Sequence, residues 1–366
     1  MHRMFILALI FTMTLLNIVG VFALERPDTN FKIFQFPADM IPRIDGDTSD
    51  WDMVPDSYKI KGDQLKDTVR ETPYDPKDLD VSVTVGWVKG MSTLYFLYEG
   101  YDDYWNFKHP DLRNDIFEVV VDGDLSGGPL VPYHNSEEHP LQPGTWGGYR
   151  FHGTHAQNYH IFTPTDGKPW TMVWGCNPWI LELPWANAAY SYDFKHGEDG
   201  KLIMEFWITP FDYAPYEGPE RAVVSKLDVD KIIGLSWCVL DYDSDEVKQQ
   251  EYEGFYNLSH KTEMYGNASD LLAFRLMPLE KQFRDPVEAA WDFTVIDLDR
   301  RTVAFKDQSY GTITSWHWDF GDRTSSTAQN PVHTYENAGL EYVVILTVEG
   351  PEGSARMSKV WDVAVR

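Results

Sequence analysis

The chain has 366 residues, of which 43% are hydrophobic and 15% aromatic, and its formal charge is −26. That composition is rich enough for two domains with cores of their own, and it excludes a disordered or fibrous polymer. The negative field excludes general nucleic-acid or anionic-membrane binding, so an anionic substrate would need a local cationic pocket.

The chain opens MHRMFILALIFTMTLLNIVGVFALERP, with a basic Arg3, an apolar run from Met4 to Val19 and small residues at Val21-Phe22-Ala23. This spacing predicts a signal peptide over 1–23, cut near Ala23, with export to the periplasm or beyond and no membrane insertion after cleavage. The run is short for a span, and no later segment is apolar enough to be one. Two cysteines, Cys176 and Cys238, allow one disulfide in an exported protein or two buried thiols.

After the leader, alternation with period two dominates. In VSVTVGWV, Val81, Val83, Val85 and Trp87 point one way, and Ser82, Thr84 and Gly86 the other. The same pattern recurs at Thr93–Gly100, Asn114–Asp124, Lys201–Thr209 and Lys231–Asp243, with Asp-Gly and Gly-Gly turn signals between runs. The prediction is all-β: a large antiparallel β-sandwich with a long loop insertion over 24–285, then a small β unit of its own over 286–366. A polar, Pro-containing stretch, KQFRDPVEAA, separates the two. Within VDGDLSGG, Asp122, Asp124 and Ser126 have the oxygen-rich, Gly-bearing character of a structural Ca²⁺ loop, and a plain polar turn fits equally well.

The insertion, Pro132 to Gly200, holds His134, His139, His152, His155, His160 and His196, six of the chain's 11 histidines. In GYRFHG, alternation puts Tyr149 and Phe151 on one face and Arg150 and His152 on the other, with residues two apart separated by roughly 6.5–7 Å. Three chemistries compete here. His152, His155 and His160 can act as imidazole ligands for zinc, although the spacing is generic. Glu137, Glu138 or Glu182 can serve glycoside hydrolysis, which needs two carboxylates across one bond. The third is β-elimination from a uronic acid, in which Arg150 neutralises the carboxylate while a Tyr or His abstracts the C5 proton and another protonates the leaving oxygen. That reaction requires no cofactor and is the one favoured. His152 or Tyr149 is its first choice of acid or base, followed by Tyr159, His155 and His160. His134 and the rings of Trp146 and Trp174 are candidates for holding the sugar. Trp105, Trp170, Trp179 and Trp185 are further possible platforms, with about two of these six tryptophans expected at the surface.

Two family resemblances follow from these motifs. RIDGDTSDW, LYFLYEGYDDYW and LRNDIFEVVVDGD occur in the order seen in family-nine-like carbohydrate-binding sandwiches, which the chain resembles over Ile44 to Met277. The C-terminal TSWHWDFGDRTSSTAQNPVHTY resembles the PKD domain, with Arg323 where the family usually has Gly, and this implies a small immunoglobulin-like β-sandwich over 286–366. There, Trp316, Trp318 and Phe320 are expected to face a core, and His317 and His333 to be structural. The pairing of both units with a His/Tyr-rich insertion is similar to secreted proteins of polysaccharide-utilisation systems, in particular an ulvan oligosaccharide dehydratase type. It implies a uronate-containing oligosaccharide or polysaccharide as partner. The alternative is a non-catalytic sugar-binding protein with a PKD spacer.

Overall fold

The computed structural model describes residues 31–130, 151–245, 252–338 and 340–365. The chain divides into two compact units, Met1–Leu279 and Glu280–Arg366. It is all-β, with helical structure among the described residues limited to single 3₁₀ turns of three or four residues. No helix among them is long and apolar enough to cross a membrane.

Strands of the larger unit run β1 Phe31–Phe36, β2 Ile60–Lys61, β3 Lys66–Asp67, β4 Leu79–Val88 and β5 Leu94–Asp102. They continue as β6 Ile116–Asp122, β7 Gln157–Phe162, β8 Thr171–Val173, β9 Ala186–Tyr192 and β10 Gly200–Ile208. The last are β11 Phe211–Tyr213, β12 Val223–Val224, β13 Ile232–Asp241, β14 Gly254–Asn257 and β15 Leu272–Leu276. One half of the sandwich has the order β8-β7-β6-β13-β15 and the other β4-β5-β10-β9, with β1 joining them.

The predicted antiparallel pattern holds except at β1, which is parallel to both neighbours. Phe31–Ile33 pair with β15, and Phe34–Phe36 pair with β4. Its sequence FKIFQF suits this position, because a strand covered on both sides needs apolar residues on both. Ile33, Phe34 and Phe36 are all fully buried.

Val81, Val83, Val85 and Trp87 enter the core between the sheets, as alternation predicts. Phe96 stacks on Phe206 there at 4.5 Å. A second apolar cluster covers the outer face of β6 and β13, where Ile116, Val120, Cys238 and Leu240 pack with Met264 and Leu271. Those strands are therefore buried on both faces. Cys176 and Cys238 are both buried as thiols, the second of the two sequence readings.

The RIDGDTSDW opening is held from beneath by Glu205 of β10. Its carboxylate accepts from the Trp51 indole at 2.8 Å, the Gly46 amide at 2.7 Å and the Asp45 amide at 3.2 Å. Glu205→Ala removes one acceptor from three donors, one of them the buried Trp51 indole, and is expected to cost about 3 kcal/mol. Urea denaturation measures this loss, and Glu205→Gln should lose less.

The smaller unit has β16 Trp291–Asp297, β17 Thr302–Asp307, β18 Ser315–Asp319, β19 Ser325–Ser326, β20 Val332–Thr334, β21 Leu340–Gly350 and β22 Gly353–Val365. Its two sheets, β16-β17-β20 and β19-β18-β21-β22, enclose Trp291, Phe305, Trp318, Phe320 and Tyr335. Trp316 packs at the core's edge with its indole donating to Asp307 at 2.7 Å, a structural role rather than a sugar platform. His333 stacks on Phe320 at 4.2 Å and pairs with Asp322 at 2.7 Å, so the P-x-H-x-Y segment latches the WDFGD turn. Arg323 adopts φ +71°, a left-handed conformation that favours glycine. Relief of about 1–2 kcal/mol of strain exceeds the roughly 0.5–1 kcal/mol entropic cost of glycine. Arg323→Gly should therefore raise this unit's melting temperature slightly.

Candidate active site

Period two divides the residues of β6 and β7 between the main core and the outer face. Phe117, Val119 and Val121 point inward, as do Tyr159 and Ile161. Glu118, Asn158 and His160 therefore lie outward, and the register sets Glu118 opposite both His160 on β7 and Cys238 on β13.

Glu118 is 3% exposed. Its Oε1 accepts from Asn158 Nδ2 at 2.7 Å and faces His160 Nε2 at 3.3 Å, while its Oε2 accepts from the Cys238 thiol at 3.3 Å. Burial, then the adjacent Glu118 carboxylate, push the Cys238 thiol well above its usual range, so it stays a donor. Asn158 Nδ2 also donates to the Tyr265 carbonyl at 3.1 Å, which ties the 3₁₀ turn Thr262–Tyr265 to the sheet.

The chain just past β8 then brings Trp174 over this row, its amide donating to the Asn158 carbonyl at 3.1 Å. The Trp174 ring meets His152 edge-on at 4.5 Å and Tyr265 at 5.4 Å. His152, at 3% exposed, and His160, at 8%, lie below these two half-buried rings. Burial, reinforced by the neighbouring His160, lowers the His152 pKa to about 4, so its imidazole is neutral near pH 7. Burial and the acids Glu263 and Glu118 raise the Tyr265 phenol, which keeps its proton. A neutral imidazole and a protonated phenol against one indole ring are competent for proton transfer in both directions.

Of the residues singled out in the sequence, His152, His160 and Trp174 come together. Tyr159 does not: it is fully buried in the main core, because it has the opposite parity to His160 on the same strand. The acid–base role expected for it is thereby corrected. His155 is turned toward the Gly127–Gly128 backbone and Asp124, with burial lowering its pKa, so the three imidazoles do not gather as a zinc triad. Glu182 is exposed. Trp146, Tyr149, Arg150, His134, His139, Glu137 and Glu138 lie outside the described residues.

Trp105 is fully buried and is no platform. Trp170, Trp179 and Trp185 pack against the main core, with the first two donating to backbone carbonyls. Asp122 spends its carboxylate on the amides of Ser126 and Gly127, at 3.2 and 2.7 Å, and Asp124 accepts from Ser126 at 3.1 Å. Of the two readings given for this loop, calcium site and polar turn, these hydrogen bonds make the turn. Sequence reading missed Glu118, Asn158 and Tyr265; the available signal was a lone acid in the apolar run IFEVVV.

An open cleft of about 530 Å³ lies elsewhere on the larger unit, walled by Phe107, Tyr192 and Phe194, with Lys108, Lys195, Asp166 and His196 around them. His196 accepts from the Phe107 amide at 3.1 Å and pairs with Asp245 through its other nitrogen.

Among solved structures, a family 9 carbohydrate-binding module from Caldicellulosiruptor kristjanssonii, in complex with cellotriose, is 14% identical with a TM-score of 0.42, covering 69% of this chain and 96% of that one. The PKD1 domain of Vibrio anguillarum Epp is 26% identical with a TM-score of 0.20, covering 22% of this chain and 95% of that one. A 54-residue stretch is 46% identical to collagenase ColQ1 of Bacillus cereus (strain Q1); it amounts to 15% of this chain and spans only 5% of the collagenase. Residues 294–365 match the family model of the PKD domain. The C-terminal unit is a PKD domain.

Proposed function

We propose that the larger unit is a carbon–oxygen lyase of an exported polysaccharide-degrading protein, acting on uronate-containing oligosaccharides of the ulvan type. One observation carries this reading: His152 lies against the Trp174 ring, which also meets Tyr265, and neighbours His160, which faces the buried Glu118. In the proposed reaction the His152 imidazole removes the C5 proton, and the C5–H electron pair becomes the C4–C5 double bond. The C4–O bond breaks, and Tyr265 supplies the proton to the departing oxygen. If the leaving group is hydroxide, the products are water and an unsaturated uronyl end, a dehydration. Glu118 holds His160 in place beside His152. Arg150, two residues before His152 in the chain, is the proposed partner of the substrate carboxylate.

Incubation with uronate oligosaccharides, followed by the ultraviolet absorbance of the conjugated enol ether, tests the proposal. Absorbance should rise with wild-type protein. A flat trace together with measurable binding would sink the lyase and leave a sugar-binding protein with a PKD spacer. A specific observation favours that second reading: the aromatic-walled cleft at Phe107, Tyr192 and Phe194 carries two lysines in a strongly acidic chain. Stacking of a pyranose on those rings, with a lysine on its carboxylate, would provide binding without chemistry. Loss of binding in Tyr192→Ala, with none in His152→Ala, would identify it.

A further inference from the structure

Strand β6 ends in Asp122, which has the same parity as Glu118 and so lies on the same outward face. Asp122 is fully buried. Its Oδ2 accepts from the Gly127 amide at 2.7 Å and its Oδ1 from the Ser126 amide at 3.2 Å. Gly127 and Gly128 follow at φ +69° and +88°, left-handed values that a Cβ would strain, and they reverse the chain. Leu130 then lands, fully buried, in the outer apolar cluster with Val120 and Met264.

The backbone of Leu130 bridges two segments that meet nowhere near each other in sequence. Its amide donates to the Gly266 carbonyl at 2.8 Å, and its carbonyl accepts from the Gly153 amide at 3.0 Å. Gly153 follows His152 directly, and Gly266 follows Tyr265. One residue thus ties the chain that carries the base of the lyase reading to the chain that carries its acid. The neighbouring backbone strengthens the tie. The Gly128 carbonyl accepts from the Ala268 amide at 2.7 Å, the Gly128 amide donates to Ser269 Oγ at 2.8 Å, and Pro129 bridges to Asn267. His155 adds a hydrogen bond from its ring to the Gly127–Gly128 backbone.

We propose that Asp122 is a positioning residue: by closing the turn that delivers Leu130, it fixes the separation of His152 and Tyr265. The roles of those two side chains rest on the lyase reading; the tie between their segments does not. Asp122 acts only through the backbone it holds. A carboxylate suits the task because two amides converge on it, one at each oxygen, whereas an asparagine offers a single acceptor oxygen. Misplacing a reacting group by about 1 Å costs on the order of 10²-fold in rate, so a turn that sets this spacing governs turnover.

Amide hydrogen exchange and steady-state kinetics are measured on the full-length protein carrying Asp122→Ala, Asp122→Asn or, as control, Asp124→Asn. In Asp122→Ala the amides of Leu130, Gly153 and Ala268 should exchange together about tenfold faster or more, while those of β5 in the main core keep wild-type protection. Its kcat should fall about 10²-fold with KM within about twofold of wild type. The acidic limb of kcat/KM should move up toward 6.5 as His152, now held low by burial, gains solvent. Asp122→Asn should recover part of kcat, and Asp124→Asn, at an exposed position, should match wild type in all three readouts. The proposal is overturned if the three amides of Asp122→Ala exchange as in wild type, or if they loosen while kcat and the acidic limb stay unchanged. Should Asp122→Ala fail to fold, Asp122→Asn is judged by the same two criteria. Failure of the lyase reading is seen separately, as a wild-type protein that forms no unsaturated uronate, and the exchange of the three amides then decides alone.

Discussion

Replacing His152 by Ala is expected to slow the formation of unsaturated uronate by about 10²–10⁴-fold, the usual contribution of a positioned acid or base. The pH dependence carries a sharper signature. A base works only when deprotonated, and burial lowers the His152 pKa to about 4. The acidic limb of the kcat/KM profile should therefore fall well below the ordinary histidine value near 6.5, with activity retained at pH 5. An acidic limb at 6.5 would show that a different, exposed group is the base. Tyr265→Phe should lower kcat without abolishing substrate binding, because it removes only the proton donor. Tyr159→Phe should leave the rate near wild type, since its hydroxyl lies in the main core.

The same linkage governs stability at this residue. With the folded pKa below the unfolded one, the unfolded chain binds more protons between about pH 4 and 6.5. The contribution of His152 is thus full above the unfolded pKa and is lost as pH falls toward the folded one. His152→Ala should flatten that part of the stability curve while removing activity at every pH.

Trp105→Ala is expected to destabilise the larger unit by about 3–5 kcal/mol, the range for deleting a large buried aromatic side chain. The indole is 0% exposed, stacks on Phe194 at 5.2 Å with planes 6° apart, and donates to the Gly200 carbonyl at 3.0 Å. Its backbone bonds to Glu198 and Gly197, so the chain after β5 and the chain before β10 are both anchored on this residue. Loss of the ring leaves a cavity and an orphaned carbonyl together. Trp105→Phe keeps most of the apolar contact and should cost clearly less in a urea titration. Because Phe194 also lines the open cleft, Trp105→Ala should weaken any ligand held there. A loss below about 1 kcal/mol would mean that the site collapses freely, contrary to the dense packing around it.

Much of the fold was legible because its signal is local. Val81, Val83, Val85 and Trp87 declare a strand with one core face, and WDFGD with the later His333 and Tyr335 declares the small sandwich. Parity within β7 places Tyr159 and His160 on opposite faces, although both were expected in the site. The sequence did not say which face was the core, since every residue of β6 and β7 is buried, the polar ones included. The same ambiguity hid β1, whose largely apolar run FKIFQF fits either pairing direction.

Strand identity and the concentration of imidazoles in one insertion follow from residue chemistry repeated over short distances, and they could be read along the chain. The meeting of Glu118 with His160 and Cys238, and of Asp102 with Asp241, belongs to the register between strands far apart in sequence. Register is set by how whole sheets bury their apolar faces, so no local pattern encodes it. Packing therefore chose which histidines share a carboxylate, and which aspartates lie in a buried cluster rather than in a closed turn.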